Sequence, residues 1–403
     1  MEFSQIIYIA LARWDGQYAS TAFSIAEELS NQQKKVYYIE NPLTLKDIFI
    51  NIHKKEITKR LPALFLGVNN TYKIKNNLIA VTPHAVLPIN WMPKGKVYDI
   101  FTKFNNTLFN SSIKKIVKQE KLKDYIIYNS FNPFYNFVSK STPAKLSIYQ
   151  SVDDISQSDY IKKHGPYLEK KYAQSSDLVL VTSSHLKKKL SIYNKNTHLV
   201  ANAADVRLFN KTLNQEGSEV QLGETLAKYK VVIGYVGNIC HRIDYKLLLN
   251  IVNEYPEYLL LMVGPINTNK PELQKLKKYD NVFFAGSKKP TELIPYLRKM
   301  NCSIIPFLIN ELTKSIYPLK INEYLAAGLP VITTNFSEDI KSFKDVIYLS
   351  DDEQDFTTQI QRAINENSPE MAKKRIEFVA SNNWTNRTFQ ILDIIKNQSY
   401  YER

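Results

Sequence analysis

Short apolar runs rich in Ile, Val, Leu and Tyr recur along this chain, separated by stretches of helical periodicity. That alternation restricts the fold more than any other feature. Gln5-Ile-Ile-Tyr-Ile-Ala-Leu-Ala12 reads as a buried strand. A polar loop, Arg13-Trp-Asp-Gly16, leads into an amphipathic helix over 19–30 and a second strand over 35–40. Strand, loop, helix and strand make a βαβ unit, which implies a parallel sheet with ligands at the strand C-ends. Gly16 permits close backbone approach there, but one glycine is not a dinucleotide fingerprint. Further strands are expected at 77–81, 125–128, 146–150 and 177–183, with helices at 50–60, 101–119, 166–175 and from Ser184. After a polar stretch at 210–228 the pattern restarts. Strands are expected at 231–237, 258–263, 281–286 and 302–306, and helices at 245–254, 291–300, 355–366, 370–380 and 385–397. The expectation is an α/β chain with two Rossmann-like doubly wound parallel-sheet domains, and 403 residues suffice for two cores.

The charge is unevenly placed. Residues 1–200 hold 28 Lys and Arg against 15 Asp and Glu, a net +13 out of +14 for the whole chain. Clusters such as Lys162-Lys163, Lys170-Lys171 and Lys187-Lys-Lys189 suit an anionic membrane surface, an anionic acceptor or nucleic acid; the plain alternative is a solvated, Lys-rich face. The two cysteines, Cys240 and Cys302, lack metal-ligand spacing and read as reduced, buried thiols of a cytosolic protein. The N-terminus shows no secretory pattern, and no apolar run approaches the ~20 residues of a membrane helix.

Chemistry concentrates in Ser315-Ile-Tyr-Pro-Leu-Lys-Ile-Asn-Glu-Tyr-Leu-Ala-Ala-Gly-Leu-Pro-Val-Ile-Thr-Thr334. Pro318 suits a first helical turn, Gly328 a left-handed C-cap, and Pro330 forbids continuation before a β-branched strand. The helix start, at Tyr317 to Leu319, offers free N–H groups to a phosphate, and Lys320 adds a cation. Glu323, three residues on, can accept two hydrogen bonds from a ribose diol. On spacing alone, Lys320 and Glu323 are more simply an i,i+3 surface pair.

The whole run resembles the donor-binding signature of group-1 (family 4-like) glycosyltransferases of the GT-B fold. The resemblance extends over most of the chain, through Ser151-Val-Asp-Asp154, Asp177-Leu-Val-Leu-Val-Thr-Ser183 and Asn202-Ala-Ala-Asp-Val-Arg-Leu-Phe209, and is to bacterial cell-envelope members. It implies two domains facing a cleft: an acceptor domain over 1–209, a linker at 210–228, a nucleotide-sugar domain over 229–383, and a last helix, 384–403, crossing back. It also implies that Glu323 holds the ribose and Lys320 the diphosphate. Many members carry a second Glu, contacting the donor sugar, where this chain has Ser315.

Gly237 and Asn238 follow the first strand of the second half, and Arg242 and Lys246 lie just beyond as diphosphate ligands. Backbone at Gly264-Pro265 and Gly286-Ser287 is placed to meet the base. Asp153, Asp154 and Asp15 are the candidate acceptor-side bases, with Asp154 alternatively a turn cap. No Asp-x-Asp motif occurs, which fits a reaction that needs neither metal nor cofactor. The resemblance leans towards retention of configuration, and Ser315 counts against that lean.

The expected function is transfer of a sugar from a nucleotide-diphosphate sugar to a saccharide or lipid-linked acceptor in surface polysaccharide synthesis. It would occur in the cytoplasm, peripherally at the inner face of the membrane and without nucleic acid. Competing readings are a nucleotide-sugar epimerase and a non-enzymatic anion- or nucleic-acid-binding protein.

Overall fold

The computed structural model describes residues 2–14, 20–68, 70–135, 144–157, 161–210, 228–317 and 319–398. The chain divides into two units, Met1–Ala201 with Arg387–Arg403, and Asn202–Asn386.

In the first unit, β1 (Gln5–Ala10), β2 (Lys35–Ile39), β3 (Thr71–Lys75), β4 (Leu78–Val81), β5 (Tyr125–Ser130), β6 (Ser147–Ser151), β7 (Leu178–Val181) and β8 (Thr197–Leu199) form one sheet. Its order is β3-β4-β2-β1-β5-β6-β7-β8, and only β3 runs antiparallel to its neighbour. Residues 6 to 10 of the central β1 are wholly buried, as a strand covered on both faces requires. Register sets Tyr8 beside Tyr38 and Tyr128, and the three rings stack at 5.6 and 4.8 Å. On the opposite face Ile7, Ile9, Tyr37 and Ile39 meet Phe109, Ile113 and Ile116 of the helix Lys96–Gln119.

In the second unit, β9 (Val231–Val236), β10 (Tyr258–Val263), β11 (Val282–Gly286), β12 (Cys302–Ile305), β13 (Val331–Thr334) and β14 (Tyr348–Ser350) form an all-parallel sheet in the order β11-β10-β9-β12-β13-β14. The order reverses at β9, between β10 and β12, which is where a doubly wound sheet opens a ligand site. Gly328 has φ +72 and closes the helix Leu319–Ala326, with its N–H donating to Leu325 and that of Leu329 to Tyr324.

Several elements differ from the sequence expectation. The helix expected at 50–60 is two short helices, Leu45–Asn51 and Lys55–Thr58, the first opened by a Thr44–Asp47 capping box. The helix expected from 101 starts at Lys96, directly after Gly95. The helix expected over 291–300 shrinks to Ile294–Leu297, because Pro295 can sit only in a first turn. The division between units falls at 201/202 rather than 209. Ala204 bonds to Asn382 and pairs with Asn383, and Val206–Asn210 packs on the helix Leu319–Ala326, so this stretch belongs to the second unit. Of the stretch read as a linker, residues 211–227 lie outside the described residues. The return to the first unit occurs inside the helix Trp384–Asn397.

Candidate functional site

Three neighbouring strands of the second unit, β9, β10 and β11, end in glycine. Gly237 follows β9 with φ +151, Gly264 follows β10 with φ +147, and Gly286 ends β11 with φ +72. The loops beyond them are zipped together. Gly237 N–H donates to Val263, Gly264 N–H to Gly286, and Ile239 N–H to Pro265, at 2.8 to 2.9 Å. A Cβ on Gly264 would sit 1.8 Å from the Gly237 carbonyl oxygen, so only glycine allows this approach. The result is a bare backbone ledge along the strand C-ends. Gly264 N–H and the Pro265 carbonyl, expected to meet a nucleotide base, are already engaged in building it. Gly286 and Ser287 stay exposed at its open end.

The helix Leu319–Ala326 is set against this ledge. Tyr324, fully buried, takes a hydrogen bond from the Val236 N–H (2.7 Å) and donates to the Val236 carbonyl (3.2 Å). The last registered pair between β9 and β12 is Gly234 with Ser303, so the Val236 peptide lies beyond that ladder and the phenol stands in for the missing strand. Burial pushes the Tyr324 phenol far above its ordinary range, which keeps it a neutral donor. This residue was missed in the sequence, where it reads only as an apolar helix position. One turn earlier, Lys320 passes its Cε beside Gly237, 3.2 Å from where a Cβ would stand. Its Nζ reaches Glu323 Oε2 at 2.8 Å, with both side chains partly exposed. The structure therefore joins Gly237, Lys320 and Glu323 at one strand end.

Arg242 lies in the loop after Gly237 and Asn238. The Tyr235 hydroxyl donates to the Asn238 carbonyl (3.0 Å), and the Arg242 carbonyl accepts from Leu308 (2.9 Å), tying this loop to the one after β12. Among the described residues, Arg242 Nε is buried without a hydrogen-bond partner. Lys246 is exposed in the first turn of the helix Tyr245–Glu254, whose cap is Asp244.

The side chains of Ser315 and Tyr317 turn inward, which leaves the expectation for the Tyr317 to Leu319 backbone untouched. Ser315 is fully buried and its hydroxyl closes the preceding turn on the Leu312 carbonyl (2.7 Å). Tyr317 is buried against Phe343, and its hydroxyl accepts from Asn322 (3.3 Å). Leu319 is half-buried at the helix start, and Pro318 lies outside the described residues.

In the first unit, Asp153 and Asp154 follow β6. Asp154 is buried and accepts from Lys189 (2.7 Å) and from the Ser156 hydroxyl and N–H. Burial alone would raise its carboxyl, but the bonds from Lys189 and Ser156 outweigh it and hold the group below the usual aspartate range. The turn-capping reading of Asp154 therefore matches its contacts, while Asp153 beside it is half-exposed. Beneath them, buried Glu169 accepts from Ser151 (2.7 Å) and Tyr149 (3.0 Å), and burial pushes its carboxyl up. No sequence signal marks Glu169. Asp15 and Gly16 lie outside the described residues.

Residues 230–366 match the family model described as Glycosyl transferases group 1. A Bacillus subtilis (strain 168) protein described as putative teichuronic acid biosynthesis glycosyltransferase TuaH is 27% identical over 225 residues, covering 54% of this chain and 56% of that protein. The chain thus spans about half the length of this curated relative. Two similar solved structures are a UDP-forming α,α-trehalose-phosphate synthase from Burkholderia vietnamiensis (TM-score 0.73, 10% identity, 99% of this chain and 100% of that one) and a sucrose-phosphate synthase from Thermosynechococcus elongatus (TM-score 0.65, 15% identity, 99% and 100%). At such identities they show the fold, which is GT-B.

Proposed function

We propose that this chain, whose residues 230–366 form a group 1 glycosyltransferase domain on a GT-B fold, moves a sugar from a nucleotide-diphosphate sugar to a saccharide or lipid-linked acceptor in cell-surface polysaccharide synthesis. The observation that carries this reading is Lys320 and Glu323 side by side at the glycine ledge. The diphosphate lies along the ledge, where backbone approach is unhindered. Lys320, Arg242 and the start of the helix Leu319–Ala326 stabilise the charge that grows on the leaving phosphate. Glu323 accepts hydrogen bonds from the ribose hydroxyls. The bond from the anomeric carbon to the phosphate oxygen breaks and the bond to the acceptor oxygen forms.

We favour retention without a metal, the acceptor proton passing to the departing phosphate. Asp154 is a poor base for the alternative, since its ion pair with Lys189 stabilises the ionised form. Under inversion, Asp153 or Asp15 is indispensable. The acceptor-side basic half suits work at the inner face of an anionic membrane.

The test is a thermal-shift titration with nucleoside diphosphates and their sugars, UDP first because the Burkholderia neighbour is described as UDP-forming. A ligand that binds only the folded form raises the melting temperature. Glu323→Ala removes only a partly exposed i,i+3 pair from the fold, worth roughly 0.3–0.5 kcal/mol. It also removes the ribose contacts, so affinity should fall roughly tenfold or more. Unchanged affinity in this variant overturns the assignment.

A further inference from the structure

The sheet of the first unit reverses its order at β1, between β2 and β5, so a ligand crevice opens over the C-end of β1. The chain leaving β1 there is held at every second residue by a side chain from a neighbouring strand or turn. The Ala10 carbonyl accepts from Asn132 Nδ2 (3.2 Å), and the Ala12 carbonyl accepts from the Tyr38 hydroxyl (2.8 Å). The Trp14 N–H donates to Glu40 Oε1 (3.1 Å). Asn132, Tyr38 and Glu40 are all buried. The Trp14 ring is fixed as well. It lies 5.2 Å from the Tyr38 ring and 5.0 Å from that of Phe23, in the first turn of the helix Thr21–Asn31.

The three clamps differ in kind. Burial pushes the Tyr38 phenol far above its ordinary range, which keeps it a neutral donor. Asn132 belongs to a tight turn after β5, where its own N–H donates to Asn129 Oδ1 (2.9 Å) and Phe131 takes φ +59. A left-handed backbone under a bulky side chain is strained, and it persists only where the surroundings impose it. Glu40 is the hub. Its Oε1 also accepts from the Tyr72 hydroxyl (2.8 Å), while Oε2 accepts from Thr82 (3.1 Å) and lies 3.6 Å from Arg60 Nη2. One carboxylate thus ties the exit of β1 to the β3–β4 hairpin and to the segment that carries Arg60. A buried carboxylate requires such a set of donors, and bonds to a charged acceptor are stronger than neutral ones.

We infer that Glu40 is a positioning residue for the transfer: it fixes the exit of β1, and with it the place where the first unit receives the acceptor hydroxyl. The inference rests on the transferase reading and adds to it the element of the first unit that has to be rigid. The nucleotide is taken by the second unit, so the crevice of the first falls to the acceptor. A reacting group misplaced by about 1 Å loses roughly a hundredfold in rate. An exit held at residues 10, 12 and 14 has little room for such drift. Glu40 touches neither substrate in this scheme. It acts through the Trp14 backbone.

The test combines amide hydrogen exchange with turnover, both in the full chain. Glu40→Ala removes the anchor of the Trp14 N–H, so exchange over residues 11–14 should rise roughly tenfold or more. Turnover is read as UDP release from UDP-glucose, with octyl β-D-glucoside as the acceptor probe. Its kcat should fall by a similar factor while UDP affinity stays unchanged, because the nucleotide site lies in the second unit. Glu40→Gln keeps an oxygen for the Trp14 N–H and should restore most of both. Thr82→Val takes a bond from the other carboxylate oxygen. It should lower the melting temperature yet leave exchange over 11–14 and kcat at wild-type values. Where Glu40→Ala does not fold, Tyr38→Phe keeps the ring in place and frees only the Ala12 carbonyl, and it should raise the same exchange and lower kcat. Wild-type exchange in Glu40→Ala or in Tyr38→Phe overturns the inference. So does a fall of kcat in Thr82→Val equal to that in Glu40→Ala, which would make the carboxylate merely structural. A wild type that binds UDP, with full kcat kept in Glu40→Ala, sinks this inference alone. A wild type that binds no nucleotide sinks the transferase reading, whatever the exchange shows.

Discussion

Tyr324→Phe is the sharpest probe of how the donor site is held. The substitution removes one oxygen and leaves the ring in place, so no sizeable cavity forms. What changes is the Val236 peptide, whose N–H and carbonyl are both buried and both bonded to the Tyr324 hydroxyl. Each buried, unsatisfied backbone group costs about 1–3 kcal/mol, so the expected loss for the two is about 2–6 kcal/mol. Urea unfolding should show a lower midpoint at an unchanged slope, read in the transition that nucleotide shifts, since a two-unit chain can unfold in more than one step. Nucleotide affinity should fall as well, because the same bonds fix Lys320 beside Gly237. A destabilisation below about 0.5 kcal/mol would refute the reasoning, as it would mean that the Val236 peptide is satisfied without the phenol.

Gly264→Ala should destabilise the second unit by about 3 kcal/mol or more, through the clash with the Gly237 carbonyl and the positive φ. Gly286→Ala, with positive φ but open space around the new methyl, should cost only about 1–2 kcal/mol, and near-equal melting temperatures for the two would count against the ledge geometry. Asp154→Asn should show its full destabilisation above the ordinary aspartate pKa of about 3.9. Because the folded carboxyl titrates below that value, the gap from wild type should close as pH falls through the lowered pKa. Thermal unfolding at stepped pH measures it, and a gap that widens in acid contradicts the ion pair.

The strand–helix alternation was readable because buried strands and amphipathic helices leave opposite periodicities. The 319–334 unit was readable because Gly328 and Pro330 punctuate it. β3, β8 and β14 escaped, being short strands that need neighbours to define them. Gly237, Lys320 and Glu323 could be nominated from motif and position, but not the bonds from Tyr324 to Val236 that hold their helix to β9, which depend on where β12 stops pairing. Where the Ser315 and Tyr317 side chains pack is a matter of tertiary structure, invisible to spacing. Phe49 and Leu66 likewise look like core residues until burial separates them from Ile48 and Leu64.

The first unit is made from two stretches of chain that the second unit separates, and this has a consequence for synthesis. β8 is the edge strand of the eight-stranded sheet. Gln390 donates to the Leu199 carbonyl of that strand, and Asn196 donates to Gln398. Thr388, Ile391 and Ile395 of the same helix are fully buried. On the ribosome β8 is complete long before these residues emerge, so the nascent chain carries an open sheet edge throughout translation of the second unit. Such an edge invites pairing with other chains. Premature termination before residue 387 would therefore yield a sticky product rather than a merely inactive one, and chaperone demand should peak in that interval.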